Sequence, residues 1–241
     1  MMWFGTVTER YTSFNWSCTD PNGDSMTYYL NITCFGSDCV SATDNYFITG
    51  ITDSNYTIQT PLKRFWDDTN YYNWSVLATD GYLNSTWSET LNASLSSVVS
   101  LGLSQSELYF GTMNPGDADN TSDDSPVPFN LTNDGNCMND VNISATSLWT
   151  TAASPTDYYR FKADNTSSIA TNLNANWSNS TTGWAQVPTA STKFLDYFNW
   201  SNSTVTADVV EFDVAVEVPM DESSGNKSST ITITGMYVTE A

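Results

Sequence analysis

The chain has 241 residues, 14% of them aromatic, and carries a formal net charge of −20 from 27 acids against 7 bases, with no histidine. That surplus of acid excludes nucleic acid, whose phosphates need Lys and Arg to neutralise them, and argues equally against anionic membrane surfaces. The aromatic content sets the chain apart from acidic disordered sequences, so it is expected to fold, each buried Trp or Tyr removing roughly 150–250 Å² from water.

Helical periodicity is nearly absent. Short runs rich in Val, Ile, Thr, Tyr, Phe and Trp alternate with Asn, Asp, Gly and Pro every 8–15 residues or so, the pattern of an all-β sandwich. The chain divides near Ser96 to Ser104. Residues 1–97 read as seven strands: GTVTER, TSFNWSC, MTYYLNIT, DNYFITG, NYTIQT, YYNWSVLA and SETLNAS, with turns at DPNGD, FGSD and TDGY. Residues 98–241 read as VVSLGLS, LYFGTM, VPFNLTN, NDVNISATS, YYRFKAD, VVEFDVAVEVP and KSSTITITGMYV, with turns at NPGD and NDGN. In VVEFDVAVEVP, alternation turns Phe212, Val214, Val216 and Val218 inward. No apolar run reaches the ~18 residues of a membrane-spanning helix. No basic segment precedes an apolar core at the start, so no signal peptide is visible.

Two resemblances follow from these runs. FNWSCTDPNGDSMTYYLNI with YYNWSVLATDGYLNSTWSE resembles a fibronectin type III domain: Trp16 matches a buried Trp on the second strand. Tyr72, Val76 and Ala78 match the Tyr-x-x-x-Val-x-Ala of the sixth, with Gly81 in the next turn. In residues 98–241, Phe110-Gly111, Asn133 to Asn136 and Gly225 to Thr234 resemble an immunoglobulin-like repeat of archaeal cell-surface proteins. The resemblances imply two β-sandwiches in tandem, fibronectin type III-like over 1–97 and immunoglobulin-like over 98–241, in a cell-surface setting with no defined activity.

The most unusual feature is the number of Asn-x-Ser/Thr acceptors for N-linked glycan. Fifteen of the 24 asparagines qualify: Asn15, Asn31, Asn55, Asn73, Asn84, Asn92, Asn120, Asn130, Asn142, Asn165, Asn176, Asn179, Asn199, Asn202 and Asn226. Ser and Thr make up 65 of the 241 residues, so random placement would give only about six or seven acceptors. The sequon is itself a period-2 motif. In a strand its Asn and its Ser or Thr share one face while the residues between them point the other way. SFNWSC, YLNITC, YYNWSV, PFNLTN and DVNISA all set apolar residues opposite the acceptor. The sugars are therefore expected to coat the outer sheet faces, away from the core.

Candidate chemistry is sparse. Without His or Cys-x-x-Cys, a zinc site or thiol–imidazole catalysis has no support. The adjacent acids Asp67-Asp68 and Asp123-Asp124 lie in loop sequence, where they do not fix the opposed geometry of a two-carboxylate glycosidase. No catalytic residue and no organic cofactor is expected. DPNGD and DADNTSDD supply clustered oxygens, which makes Asp20, Asn22 and Asp24 a weak calcium candidate; an Asx turn explains the same residues. Of the four cysteines, Cys34 and Cys39 flank the FGSD turn and are expected to form a local disulfide. Cys18 and Cys137 are free, paired with each other, or paired between subunits. Trp66, Trp87, Trp149, Trp177 and Trp184 cannot all be turned inward by alternation, so some serve as core or interface and some could face carbohydrate.

These readings converge on an extracellular, glycan-coated structural protein rather than an enzyme. With the faces closed by sugar, contacts fall to strand edges and domain poles, as in a filament or surface layer that polymerises with itself. The segment MMWFGTVTER is a candidate donated strand, with Trp3, Phe4 and Val7 as anchors. The alternative is a secreted adhesin or carbohydrate-binding accessory module.

Overall fold

The structure, a computed structural model, describes residues 13–36, 39, 45–57, 71–94, 96–165, 175–200 and 208–238. Regular structure in these residues is β apart from two single 3-10 turns, Thr121–Asp123 and Trp177–Asn179. The chain forms two compact units, Met1–Val98 and Val99–Ala241.

The first unit contains β1 (Ser13–Asn15), β2 (Thr27–Phe35), β3 (Tyr46–Ile51), β4 (Asn55–Thr57), β5 (Tyr71–Thr79) and β6 (Leu91–Ser94). They form two antiparallel sheets, β1–β4 and β3–β2–β5–β6. The longest ladder joins β2 to β5 without a slip, from Thr27 opposite Thr79 to Phe35 opposite Tyr71. Alternation places Tyr28, Leu30, Ile32 and Cys34 in the core, side by side with Ala78, Val76 and Tyr72 of the neighbouring strand. Phe14 of β1 meets Trp74 of β5 edge-on at 5.1 Å and so ties the sheets together.

Two turns of this unit, DPNGD and TDGY, are made by aspartate. Asp20 Oδ1 accepts from the backbone N–H of Asn22 and Asp24, with Gly23 at φ 79°. Asp80 Oδ1 accepts from the N–H of Tyr82 and Leu83, with Gly81 at φ 91°. Trp16 departs from the sequence reading. It lies just past β1 and is half-buried rather than buried, one edge of its ring packed on Tyr28 at 5.4 Å beside the core.

The second unit contains β7 (Leu101–Leu103), β8 (Ala118–Asn120), β9 (Phe129–Asn133), β10 (Asn139–Ala145), β11 (Tyr159–Asp164), β12 (Ala185–Gln186), β13 (Thr192–Phe198), β14 (Val209–Glu217) and β15 (Ile231–Tyr237). One sheet runs β13–β10–β15 and the other β12–β11–β14–β9–β7, with β8 extending the β9 side of β14. Phe161, Phe194 and Phe212 form the centre of the core, their ring centroids 5.6–5.8 Å apart. The two sheets close on each other at Gly235 of β15, where an added Cβ would stand 2.8 Å from Val99 Cγ1 and 3.2 Å from Leu101 Cδ1.

Among the described residues, four elements of this unit differ from the sequence reading, of which β8 and β12 are short strands that it does not contain. LYFGTM is not a strand: Leu108, Phe110 and Met113 pack against the core as an irregular segment, so their apolar spacing reflects burial without a ladder. TKFLDYF is β13, which the sequence conceals. Phe194, Leu195 and Asp196 are buried in succession, the β10 pairing slips, and Tyr197 takes φ 49°; a bulge of this kind destroys period-2 alternation.

Candidate functional site

Fourteen of the fifteen acceptors fall within the described residues; Asn202 does not. None of the fourteen is buried. Asn15, Asn55, Asn84, Asn92, Asn179 and Asn226 are exposed. Asn31, Asn73, Asn120, Asn130, Asn142, Asn165, Asn176 and Asn199 are half-buried. The buried asparagines among the described residues are Asn133, Asn136 and Asn139, and not one of them is an acceptor. Every buried asparagine among the described residues is thus a non-acceptor, while the other described non-acceptors, Asn22, Asn45 and Asn114, are exposed.

The strands produce this separation. On β2 and β5, Asn31, Thr33, Asn73 and Ser75 share the outer face, and the register sets Asn73 between Thr33 of β2 and Asn92 of β6. In the second unit, Asn130 alternates with buried Phe129 and Leu131, and Asn142 with buried Val141 and Ile143. The tandem acceptors Asn176 and Asn179 sit on the second 3-10 turn, and both Nδ2 atoms donate to Oδ2 of buried Asp196, at 2.8 and 3.3 Å. A primary amide has two N–H bonds; each side chain donates one here and keeps another for a glycosidic bond. Ser178 Oγ, the sequon hydroxyl, donates to Asn176 Oδ1. Burial alone would raise the Asp196 pKa, but Lys193 and the two amides bring it below the ordinary aspartate value.

The edge strands of the sheets are the second candidate surface. The four-stranded sheet ends on β3 and β6, the three-stranded sheet on β13 and β15, and the larger sheet on β12 and β7. The proposed donated strand with Trp3, Phe4 and Val7 lies outside the described residues, as do Trp66 and Asp67-Asp68.

The remaining candidates resolve individually. Cys34 and Cys39 are joined by a disulfide with a Cα–Cα distance of 5.6 Å. Cys18 is an exposed thiol, whereas Cys137 is buried, with Sγ 3.7 Å from Asn139 Oδ1. Asp20, Asn22 and Asp24 form the Asx turn described above, and no cluster of metal-ligating side chains occurs among the described residues. Asp123 and Asp124 are exposed on the first 3-10 turn. Trp149 is core, Trp177 packs against the core, and Trp87 and Trp184 are exposed.

Besides the Lys193–Asp196 pair, two charged clusters escaped the sequence reading. On the outer face of β14, Asp213 accepts from Thr121 Oγ1 at 2.6 Å and lies 3.3 Å from Lys162 Nζ. Lys162 also bonds Asp164 and lies over the Trp184 ring. Burial opposes its charge, but Asp164 and Asp213 hold its pKa above that of an ordinary lysine. Beside them, burial and the negative charges of Asp213, Asp124 and Asp164 push Glu211 up to about 7. The second cluster is Glu222, which accepts from Lys227 and from the N–H and hydroxyl groups of Thr150 and Thr151. These donors hold it well below the usual carboxylate range. Cross-strand register brings Lys162, Asp164, Glu211 and Asp213 of the first group together, with Thr121 joining from the 3-10 turn; a long-range loop contact makes the second.

No protein family matches the chain, and no curated protein does. Both units are all-β sandwiches of paired antiparallel sheets, as the sequence reading expects. Among solved structures, the chain is similar to the FN1–FN3 domains of chicken CNTN1, at 10% sequence identity over 95% of this chain and with a TM-score of 0.28. It spans 57% of that chain's length. A likeness this distant carries no argument about partners or activity.

Proposed function

We propose that this chain is a structural subunit of an extracellular, heavily N-glycosylated surface assembly, a filament or a surface layer, in the archaeal setting that the second resemblance implies. The observation that supports it most is the exclusion of all fourteen described acceptors from the core, against the burial of Asn133, Asn136 and Asn139. Sugars at those positions would close the sheet faces to broad protein contact. Contacts then fall to poles and strand edges, where backbone N–H and C=O groups can take an added strand. Residues 1–10 would supply that strand. Such contacts are heterologous and build filaments unless the rotation closes a ring. A charge of −20 per subunit opposes association, so salt or divalent cations should promote it.

A secreted adhesin or carbohydrate-binding module is the second reading, favoured by the exposure of Tyr82, Phe47 and Trp87. Negative-stain imaging of native material, with and without residues 1–10, separates the two. Ordered polymers that depend on the segment support assembly through a donated strand. Polymers that survive the deletion remove the donated strand. A monodisperse monomer that binds a glycan array supports the module.

A further inference from the structure

The outer face of the β3–β2–β5–β6 sheet carries aromatic rings in a place where a sandwich needs none. Tyr29 of β2 stacks on Phe47 of β3 at 6.2 Å, and Phe35 of β2 stacks on Tyr71 of β5 at 5.2 Å with ring planes 10° apart. Phe47 is 62% exposed and Tyr71 47%. Between the two pairs lies a polar band made of sequons. Asn31 is directly opposite Phe47, and Asn73 is opposite Thr33, one outward position along from Tyr71. Asn73 Oδ1 is shielded from water, with no hydrogen-bond partner among the described residues.

The same spacing recurs in the sequence, on strands at Asn31 and Asn73 and outside the strands at Asn84 and Asn199. Asn31, Asn73, Asn84 and Asn199 each have a tyrosine two residues before them: Tyr29, Tyr71, Tyr82 and Tyr197. With 13 tyrosines in the chain, random placement would put about one there across the fifteen acceptors. Two residues back on a strand is the same face, roughly 6.8 Å away, which is within reach of the first sugars on the amide. A pyranose ring presents C–H bonds on one face, and an aromatic face, negative by its quadrupole, attracts them.

We propose that the Tyr29–Phe47 and Phe35–Tyr71 pairs are docking platforms for the chain's own N-glycans on Asn31 and Asn73. The proximal sugars lie flat on the rings rather than extending into solvent. The proposal rests on the glycosylated reading above. It gives the exposed aromatics an occupant that is covalently tethered within reach, where the adhesin reading would give them a free ligand. Docked sugars cover apolar surface that would otherwise draw subunits together face to face, and they hold the coat against the sheet.

The test uses the full chain from its native host, with glycopeptide mass analysis first establishing occupancy at Asn31 and Asn73. Proton NMR of the intact glycoprotein then reads the proximal sugars. The expected result is upfield-shifted sugar ring protons with cross-peaks to Tyr and Phe ring protons. Tyr71→Leu, which keeps an apolar side chain, should return the Asn73 sugar to free-glycan positions while the Asn31 sugar stays shifted. Occupied sites whose sugars sit at free-glycan positions in the unsubstituted protein overturn the docking while leaving the glycosylated reading intact. Unoccupied Asn31 and Asn73 overturn the docking, and empty acceptors throughout overturn the glycosylated reading too. Ring protection that persists in deglycosylated protein and rises with concentration assigns the face to a second copy and likewise overturns it.

Discussion

Glu211→Gln should stabilise the second unit at alkaline pH and leave it unchanged in acid. Glu211 lies on the outer face of β14, opposite Asn130 of β9 and Asp164 of β11, with Asp213 and Asp124 also near and Lys162 as the opposing charge. Its pKa rises from 4.5 to about 7. A carboxyl with a raised folded pKa has no penalty below its unfolded value, where both states are protonated. The penalty grows as pH rises from 4.5 and is complete above the folded value. At ~1.4 kcal/mol per unit the full displacement would amount to ~3 kcal/mol. The side chain is only half-buried, and solvent screening of such charges brings the expectation down to ~1 kcal/mol. For a unit of this size that is a rise in Tm of roughly 2–4 °C. Thermal unfolding followed by near-UV circular dichroism at pH 4 and pH 8.5, on the wild type and Glu211→Gln, measures it. The same difference at both pH values, or a loss of stability at pH 8.5, would mean that the Glu211 charge carries no such penalty.

Glu222 should behave in the opposite sense. Its pKa is depressed, so its contribution is present above the unfolded glutamate value and fades as pH falls toward the folded one. Glu222→Gln should therefore melt below the wild type at pH 7, with the gap closing on acidification below the ordinary carboxylate range. Asn133→Ala removes a buried amide that donates to the carbonyls of Cys137 and Phe198 and accepts from Gly135 N–H. It should cost ~2–4 kcal/mol in denaturant titration, whereas Asn55→Gln in unglycosylated protein should stay within ~0.5 kcal/mol. Gly235→Ala should cost ~1–3 kcal/mol in the same titration, since its Cβ would push against Val99 and Leu101.

The parts of this fold that sequence could reveal are those governed by local rules. YYNWSVLA and MTYYLNIT alternate cleanly, and as β5 and β2 they put apolar residues in the core and acceptors outside. DPNGD and TDGY carry the Asx and glycine chemistry of their turns. Cys34 and Cys39 are close enough in sequence for the FGSD turn to join them. The features it concealed depend on distant partners. The bulge at Asp196 and Tyr197 breaks the period of β13, LYFGTM buries its apolar residues without a ladder, and NDGN looks like a surface turn although Asn133 is fully buried. The Glu211–Asp213–Lys162 group exists only because β11 and β14 pair in one register. The sequon pattern therefore revealed the candidate coat, whereas the stacked aromatic pairs beside it needed the cross-strand register.

Site-by-site glycopeptide mass mapping of the native protein decides whether the sheet faces carry a coat. N-linked glycan is expected at most of the fifteen acceptors, including the strand positions Asn31, Asn73, Asn130 and Asn142, and at none of Asn133, Asn136 and Asn139. A native protein with unmodified strand acceptors would contradict that coat, because the sheet faces would then be bare and open to contact.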